Sequence, residues 1–179
     1  MNFVDGEILY IDKPLEWTSF DAVKRVRGAL LRRTGLKKLK VGHAGTLDPL
    51  ATGVMIVCTG RSTKRIEELQ AGTKEYIASI ALGATTPSYD LETEIDAYYP
   101  TEHITRELVE EALCKFIGEI EQVPPTFSAC KVDGKRAYKA ARKGQEVELK
   151  PKKLVIDEIE LLEYDQKEVK IRVVCSKGT

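Results

Sequence analysis

Residues 42 to 53 read Gly42-His43-Ala44-Gly45-Thr46-Leu47-Asp48-Pro49-Leu50-Ala51-Thr52-Gly53, and Asp48 is the only carboxylate between Asp21 and Glu67. Its flanks are basic: from Lys24 to Lys40 there are eight basic residues and no acidic one. A lone aspartate among positive charges stays ionised, which suits a nucleophile more than a general acid. The glycines Gly42, Gly45 and Gly53 permit tight turns or close approach of a ligand. The same residues also admit a plainer reading, because Asp-Pro routinely starts turns. His43 can likewise be a hydrogen-bonding loop residue, and one His beside one Asp makes no metal site.

The elements around this loop must position it. Glu7 to Ile11 reads as a short strand ended by Asp12-Lys13-Pro14. Thr18 and Ser19 cap a helix with apolar positions Phe20, Val23, Val26, Leu30 and Leu31, and Gly35 fits its end. After the loop, Val54 to Cys58 has the unbroken apolar run of a buried central strand. A short helix is expected over Ser62 to Leu69. A half-buried strand is expected over Lys74 to Leu82, with Tyr76, Ala78, Ile80 and Leu82 on one side. Thr105 to Phe116 has amphipathic helical spacing. Val123 to Thr126 breaks regular structure, Phe127 to Val132 reads as a strand, and Asp133-Gly134 signals a turn. Arg136 to Lys143 reads as a short basic helix closed by Gly144. Val155 to Leu162 and Val169 to Cys175 are the last strands. The pattern predicts an α+β fold with a mixed, largely antiparallel sheet flanked by helices.

A chain of 179 residues, 42% of them hydrophobic, buries one sizeable core, so one domain is expected. Lys plus Arg and Asp plus Glu both number 28, and net charge says nothing of partners. Distribution says more. Leu91 to Val123 holds nine acids against two bases, and Lys131 to Lys153 nine bases against three acids. Such blocks suit one face turned to a polyanion and another turned away, or simply solvated helix faces. Cys58, Cys114, Cys130 and Cys175 are far apart with no C-x-x-C pairing, which points to reduced thiols. No apolar run approaches the ~20 residues of a membrane span. The amino terminus reaches Asp5 before any apolar run forms. A cytoplasmic, monomeric protein with no membrane partner is expected.

The twelve-residue loop resembles, without a gap, the signature loop of the TruB family, bacterial tRNA pseudouridine-55 synthases. Lys13-Pro14 and Trp17-Thr18-Ser19 resemble the family's amino-terminal K-P-x-G-x-T-S motif, with Glu16 where glycine is usual. Gly60 with Ser62-Thr63-Lys64 resembles its G-x-A-T-K segment, and Lys74-Glu75-Tyr76 its K-x-Y motif. A long motif is similar through Phe116, Gly118, Gln122, Pro124, Pro125, Phe127, Ser128, Ala129 and Lys131. It continues through Ala137-Tyr138, Ala141-Arg142 and Gly144. The resemblance spans essentially the whole chain.

It implies an isomerase that detaches uracil from ribose, turns it over and reattaches it through carbon 5, with no cofactor and no metal. Its partner would be the T-arm stem-loop of tRNA, the target base being flipped out of the RNA to be reached. Asp48 would be the nucleophile or base, by attack on C1′, addition to the uracil ring or removal of a sugar proton. Tyr76 would stack on the uracil, an interaction worth ~1–3 kcal/mol per base; as a residue of an alternating strand it also reads as an ordinary core tyrosine. His43 would fill the space left by the flipped base or support that RNA conformation. Lys13, Lys64, Lys131 and Arg142 would contact phosphates. The basic helix from Lys24 and the block from Lys135 to Lys153 would cradle the backbone, making binding salt-dependent. The resemblance also implies an incomplete catalytic domain. In the family, C-S-x-G-T is followed by Y-I-R, whose arginine pairs with the catalytic aspartate, and here Thr179 is the last residue. On that reading a small carboxy-terminal RNA-binding domain is absent and activity is impaired. A non-catalytic RNA-binding or RNA-folding module is the alternative. A guide-RNA-dependent synthase is a third reading, disfavoured because Pro49 to Gly53 resembles the bacterial form of the loop.

Overall fold

A computed structural model describes residues 1–124, 131–132, 135–136 and 149–179, the two short segments by backbone alone. The chain divides into two compact units, Met1–Gly72 and Thr73–Thr179.

The first unit is built on β1 (Ile8–Lys13), α1 (Ser19–Thr34), β2 (Val41–His43) and β3 (Gly53–Thr59), followed by a 3-10 turn (Gly60–Arg65) and α2 (Ile66–Ala71). β3 lies between β1 and β2, antiparallel to both, with Tyr10 opposite Ile56 and His43 opposite Val57. α1 starts where its caps dictate. The Thr18 side chain accepts from the Asp21 backbone N–H, and the Asp21 carboxylate accepts from the Thr18 backbone N–H, a reciprocal capping box. It ends at Gly35, whose φ of 69° no β-carbon opposes and whose N–H donates to the Leu31 carbonyl. The helix buries Ser19, Ala22, Val23 and Leu30, and Ala22 and Val23 pack on Met55 and Val57 of β3. Burying side chains such as Val23 and Met55 contributes roughly 1.5–3 kcal/mol each. Phe20, expected on this face, is exposed, because the buried stripe runs one position ahead of it. On β3, Met55 and Val57 are buried on one face; the other runs from exposed Val54 through half-buried Ile56 to buried Cys58.

The second unit holds β4 (Lys74–Ala81), β5 (Ala84–Thr85), β6 (Ala97–Tyr98), α3 (Arg106–Cys114), β7 (Gly118–Gln122), β8 (Lys131–Val132), β9 (Lys135–Arg136), β10 (Lys152–Tyr164) and β11 (Glu168–Cys175). Its main sheet has the order β4-β11-β10-β7, and β5 pairs with β6 and β8 with β9. Every described pairing is antiparallel. β10 runs on past the expected strand at both ends, bulging between Ile156 and Glu158 and between Leu161 and Glu163. Bulges of this kind bend a long strand and strengthen its twist. Leu154, Ile156 and Cys175 form the core, with Ile120, Ile159 and Val173 against them. Arg172 on β11 ties neighbouring strands, bonding Glu75 of β4 at 2.9 and 3.0 Å and Glu158 of β10 at 2.8 Å.

The fold is α+β with antiparallel sheets and few helices. Arg136 lies in a strand rather than a helix, because Lys135–Arg136 returns antiparallel on Lys131–Val132. The rest of the expected helix to Lys143, and Phe127 to Cys130, lie outside the described residues.

Candidate active site

The Asp48 segment bridges β2 and β3. β-type bonding continues one residue past β2, with the Ala44 N–H donating to the Ile56 carbonyl at 2.8 Å. Gly45 then takes φ 129° and Gly53 φ 114°, conformations that disfavour a side chain. His43 stands at the end of β2, where its Nδ1 is 2.5 Å from the Gly45 carbonyl oxygen. Between these points the Ala51 N–H donates to the Asp48 carbonyl at 3.0 Å. Asp48 is therefore the first residue of a four-residue turn with Pro49 at the second position, the arrangement Asp and Pro favour. The turn reading of Asp-Pro holds, and the turn leaves Asp48 exposed.

Both neighbours of Asp48 are tied down. The Leu47 N–H donates to Ser19 Oγ at 2.9 Å, and Ser19 Oγ donates to the Leu47 carbonyl at 3.0 Å. The Leu47 side chain packs on the core of the first unit. On the other side, the Pro49 carbonyl accepts from the Glu16 N–H at 2.8 Å and from Lys13 Nζ at 3.4 Å. Glu16 stands at φ 66°, a left-handed conformation that explains why glycine suits this position.

Lys13 requires a correction. A phosphate contact needs an exposed ammonium, yet Lys13 is 0% exposed. Its Nζ donates to the Trp17 carbonyl at 2.6 Å and the Pro14 carbonyl at 3.0 Å, besides the longer bond to Pro49. An ammonium has three protons, and three carbonyls receive them. Its role is to fold the chain from β1 to α1 around the Asp48 turn.

Lys64 is exposed on the 3-10 turn and lines a cavity of about 400 Å³ with Lys38, Lys40 and Arg61. Another cavity, of about 710 Å³, runs along α1 past Trp17, Lys24, Arg25 and Arg32, and does not include Asp48. In the second unit, Tyr76 is exposed on β4, opposite Val173. Among the described residues β4 is an edge strand, and the face expected to be half-buried is largely exposed. Beside it, burial pushes the Lys74 amine below its ordinary value, with Lys177 adding repulsion. Lys131 lies on β8, and Arg142 is outside the described residues. Thus Asp48, His43, Lys13 and Lys64 belong to the first unit, and Tyr76 and Lys131 to the second. Ser19 was missed as a site residue. Its sequence signal was a cap position, and the Leu47 bonds lie 28 positions away.

Among the described residues, no group of three or more His, Cys, Asp and Glu could hold a metal ion. No described helix is long and apolar enough to cross a membrane.

Comparison with known proteins matches residues 32–179 to the TruB family pseudouridylate synthase (N terminal domain). The chain is 74% identical to the tRNA pseudouridine synthase B of Phocaeicola vulgatus, covering 100% of this chain and 76% of that protein. It is 53% identical to the tRNA pseudouridine synthase B of Flavobacterium johnsoniae over 99% of this chain and 78% of that one. Among solved structures, a chain of a Cbf5-Nop10-Gar1 complex superposes with a TM-score of 0.69 at 26% identity, over 99% of this chain and 41% of that chain.

Proposed function

The chain belongs to the TruB family of pseudouridylate synthases, and from that premise we propose that it converts a uridine in the T loop of tRNA to pseudouridine, with Asp48 as the reacting carboxylate. The observation that carries the proposal is the Asp48 turn. It places one exposed carboxylate on a backbone fixed on both sides, at the centre of the family's signature loop. A carboxylate fixed in this way loses little freedom on reaching a substrate, which is where positioning contributes most to rate.

The isomerisation breaks the N1–C1′ bond and forms a C5–C1′ bond; the C5 proton leaves and N1 gains one. Nothing is oxidised or reduced, so the reaction needs only positioned acid, base or nucleophile groups. The uridine is flipped out of the loop to reach Asp48. Tyr76 stacks on the extruded uracil, and His43 supports the RNA where the base has left. Lys64, Lys131 and Arg142 contact phosphates, and the cations beside Lys64 extend that surface. The T-arm stem-loop is sufficient substrate, the enzyme works as a cytoplasmic monomer, and the two units make up one catalytic domain.

Tritium release from a T-arm hairpin labelled at uridine C5 tests the reading. Release is expected from the wild-type protein and none from Asp48→Asn, with hairpin binding kept. Tight binding without release by the wild type would favour a non-catalytic RNA-binding or RNA-folding module instead.

A further inference from the structure

Asp48 sits in a turn, and a turn holds a side chain only as firmly as its neighbours hold the backbone. The Ser19 hydroxyl engages both backbone groups of Leu47, the residue directly before Asp48, at 2.9 and 3.0 Å. A hydroxyl carries one proton and two lone pairs, so it can donate to the carbonyl and accept from the N–H together. Ser19 is itself immobilised. It is 3% exposed, it is the first residue of α1, and the capping box of Thr18 and Asp21 fixes the helix start. Ala22 and Val23, one turn on, lock the helix to Met55 and Val57. An unbroken path of packing and hydrogen bonds thus runs from the core of the first unit to the backbone of the reacting residue.

We infer that Ser19 is a positioning residue for the reaction: its hydroxyl sets the Asp48 carboxylate in place by holding Leu47, with Glu16 and Lys13 anchoring Pro49 on the far side. The inference rests on the reading of Asp48 as the reacting group. Ser19 touches no substrate in this account. Its removal leaves Asp48 present but free to drift, and a reacting group misplaced by even an ångström slows the chemical step more than it weakens binding.

The test compares Ser19→Ala with Leu30→Ala in the full chain. Leu30 is buried on the same helix but lies outside the cluster on which Leu47 packs. Two quantities are read at a temperature where both variants are fully folded: kcat and KM for tritium release, and amide hydrogen exchange at Leu47. Ser19→Ala is expected to lower kcat about 10- to 100-fold with KM unchanged within about two-fold. It should also speed exchange at Leu47, while Leu30→Ala keeps kcat within about two-fold. An unchanged kcat in Ser19→Ala, or an equal loss in Leu30→Ala, overturns the inference, the latter by making the effect one of general loosening. If the wild type releases no tritium, the functional reading has failed, and Leu47 exchange still decides the clamp: unchanged exchange in Ser19→Ala refutes it, faster exchange upholds it.

Discussion

Replacing Lys13 by methionine separates burial from phosphate binding. Lys13 is the only charged side chain fully buried among the described residues. Its bonds, 2.6 Å to Trp17, 3.0 Å to Pro14 and a longer, weaker one of 3.4 Å to Pro49, are charge-assisted. Removing the ammonium forfeits the two shorter bonds, about 3–6 kcal/mol together, and leaves three carbonyls to find other partners. Part of that loss is offset because the variant no longer buries a charge. Methionine keeps most of the apolar stem, so packing changes little. The balance is a loss of about 2–4 kcal/mol. For a chain of this size that lowers the melting temperature by about 5–15 °C. The single tryptophan, Trp17, lends its own carbonyl to Lys13, so its fluorescence during urea unfolding reports on the affected site. Hairpin affinity is then measured against salt. A phosphate contact would reduce the slope of log K on log[salt] by about 0.7–0.9 on removal, whereas a buried clamp leaves it unchanged. An unaltered unfolding midpoint with a slope reduced by that amount would refute the reasoning.

Other perturbations probe the same framework. Glu16→Gly relieves a left-handed conformation that costs an L-residue about 1–2 kcal/mol, against about 0.5–1 kcal/mol for the added freedom of the unfolded chain. The urea midpoint should hold or rise slightly; a clear fall would mean that the Glu16 side chain itself braces the turn. In the second unit, the Arg172 hydrogen bond holds the Glu75 carboxyl below its ordinary value of 4.5. Its contribution to stability is complete above pH 4.5 and disappears as pH falls through the depressed value. Arg172→Met should therefore flatten the acid side of the stability-against-pH curve below pH 4.5, read from urea midpoints at a series of pH values. Identical curves for wild type and variant would show that the pair is broken in solution.

Much of the fold was legible wherever local chemistry dictates local structure. Thr18 and Gly35 mark the ends of α1 because capping and the left-handed C-cap are decided within four residues. β4 and β11 follow runs of β-favouring residues, and their observed bounds lie within a residue of the expected ones. The two-residue strands β5 and β6 carry no period to read and went unseen, as did β2 and β7. The exposure of Phe20 was also out of reach, since hydrophobic spacing alone does not say which part of a wide apolar stripe another element will cover.

For the site the division is sharper. The sequence by itself singled out the loop proposed to carry the chemistry, through the resemblance of twelve contiguous residues around Asp48 to the TruB signature loop. Only the tertiary structure decided what holds that carboxylate. The bond from Ser19 to Leu47 joins residues 28 positions apart, and that from Lys13 to Pro49 spans 36. No periodicity encodes such pairs. They exist because α1 packs on β3 and brings a helix start and a strand end to either side of one turn, turning a lysine that reads as a surface cation into a buried clamp.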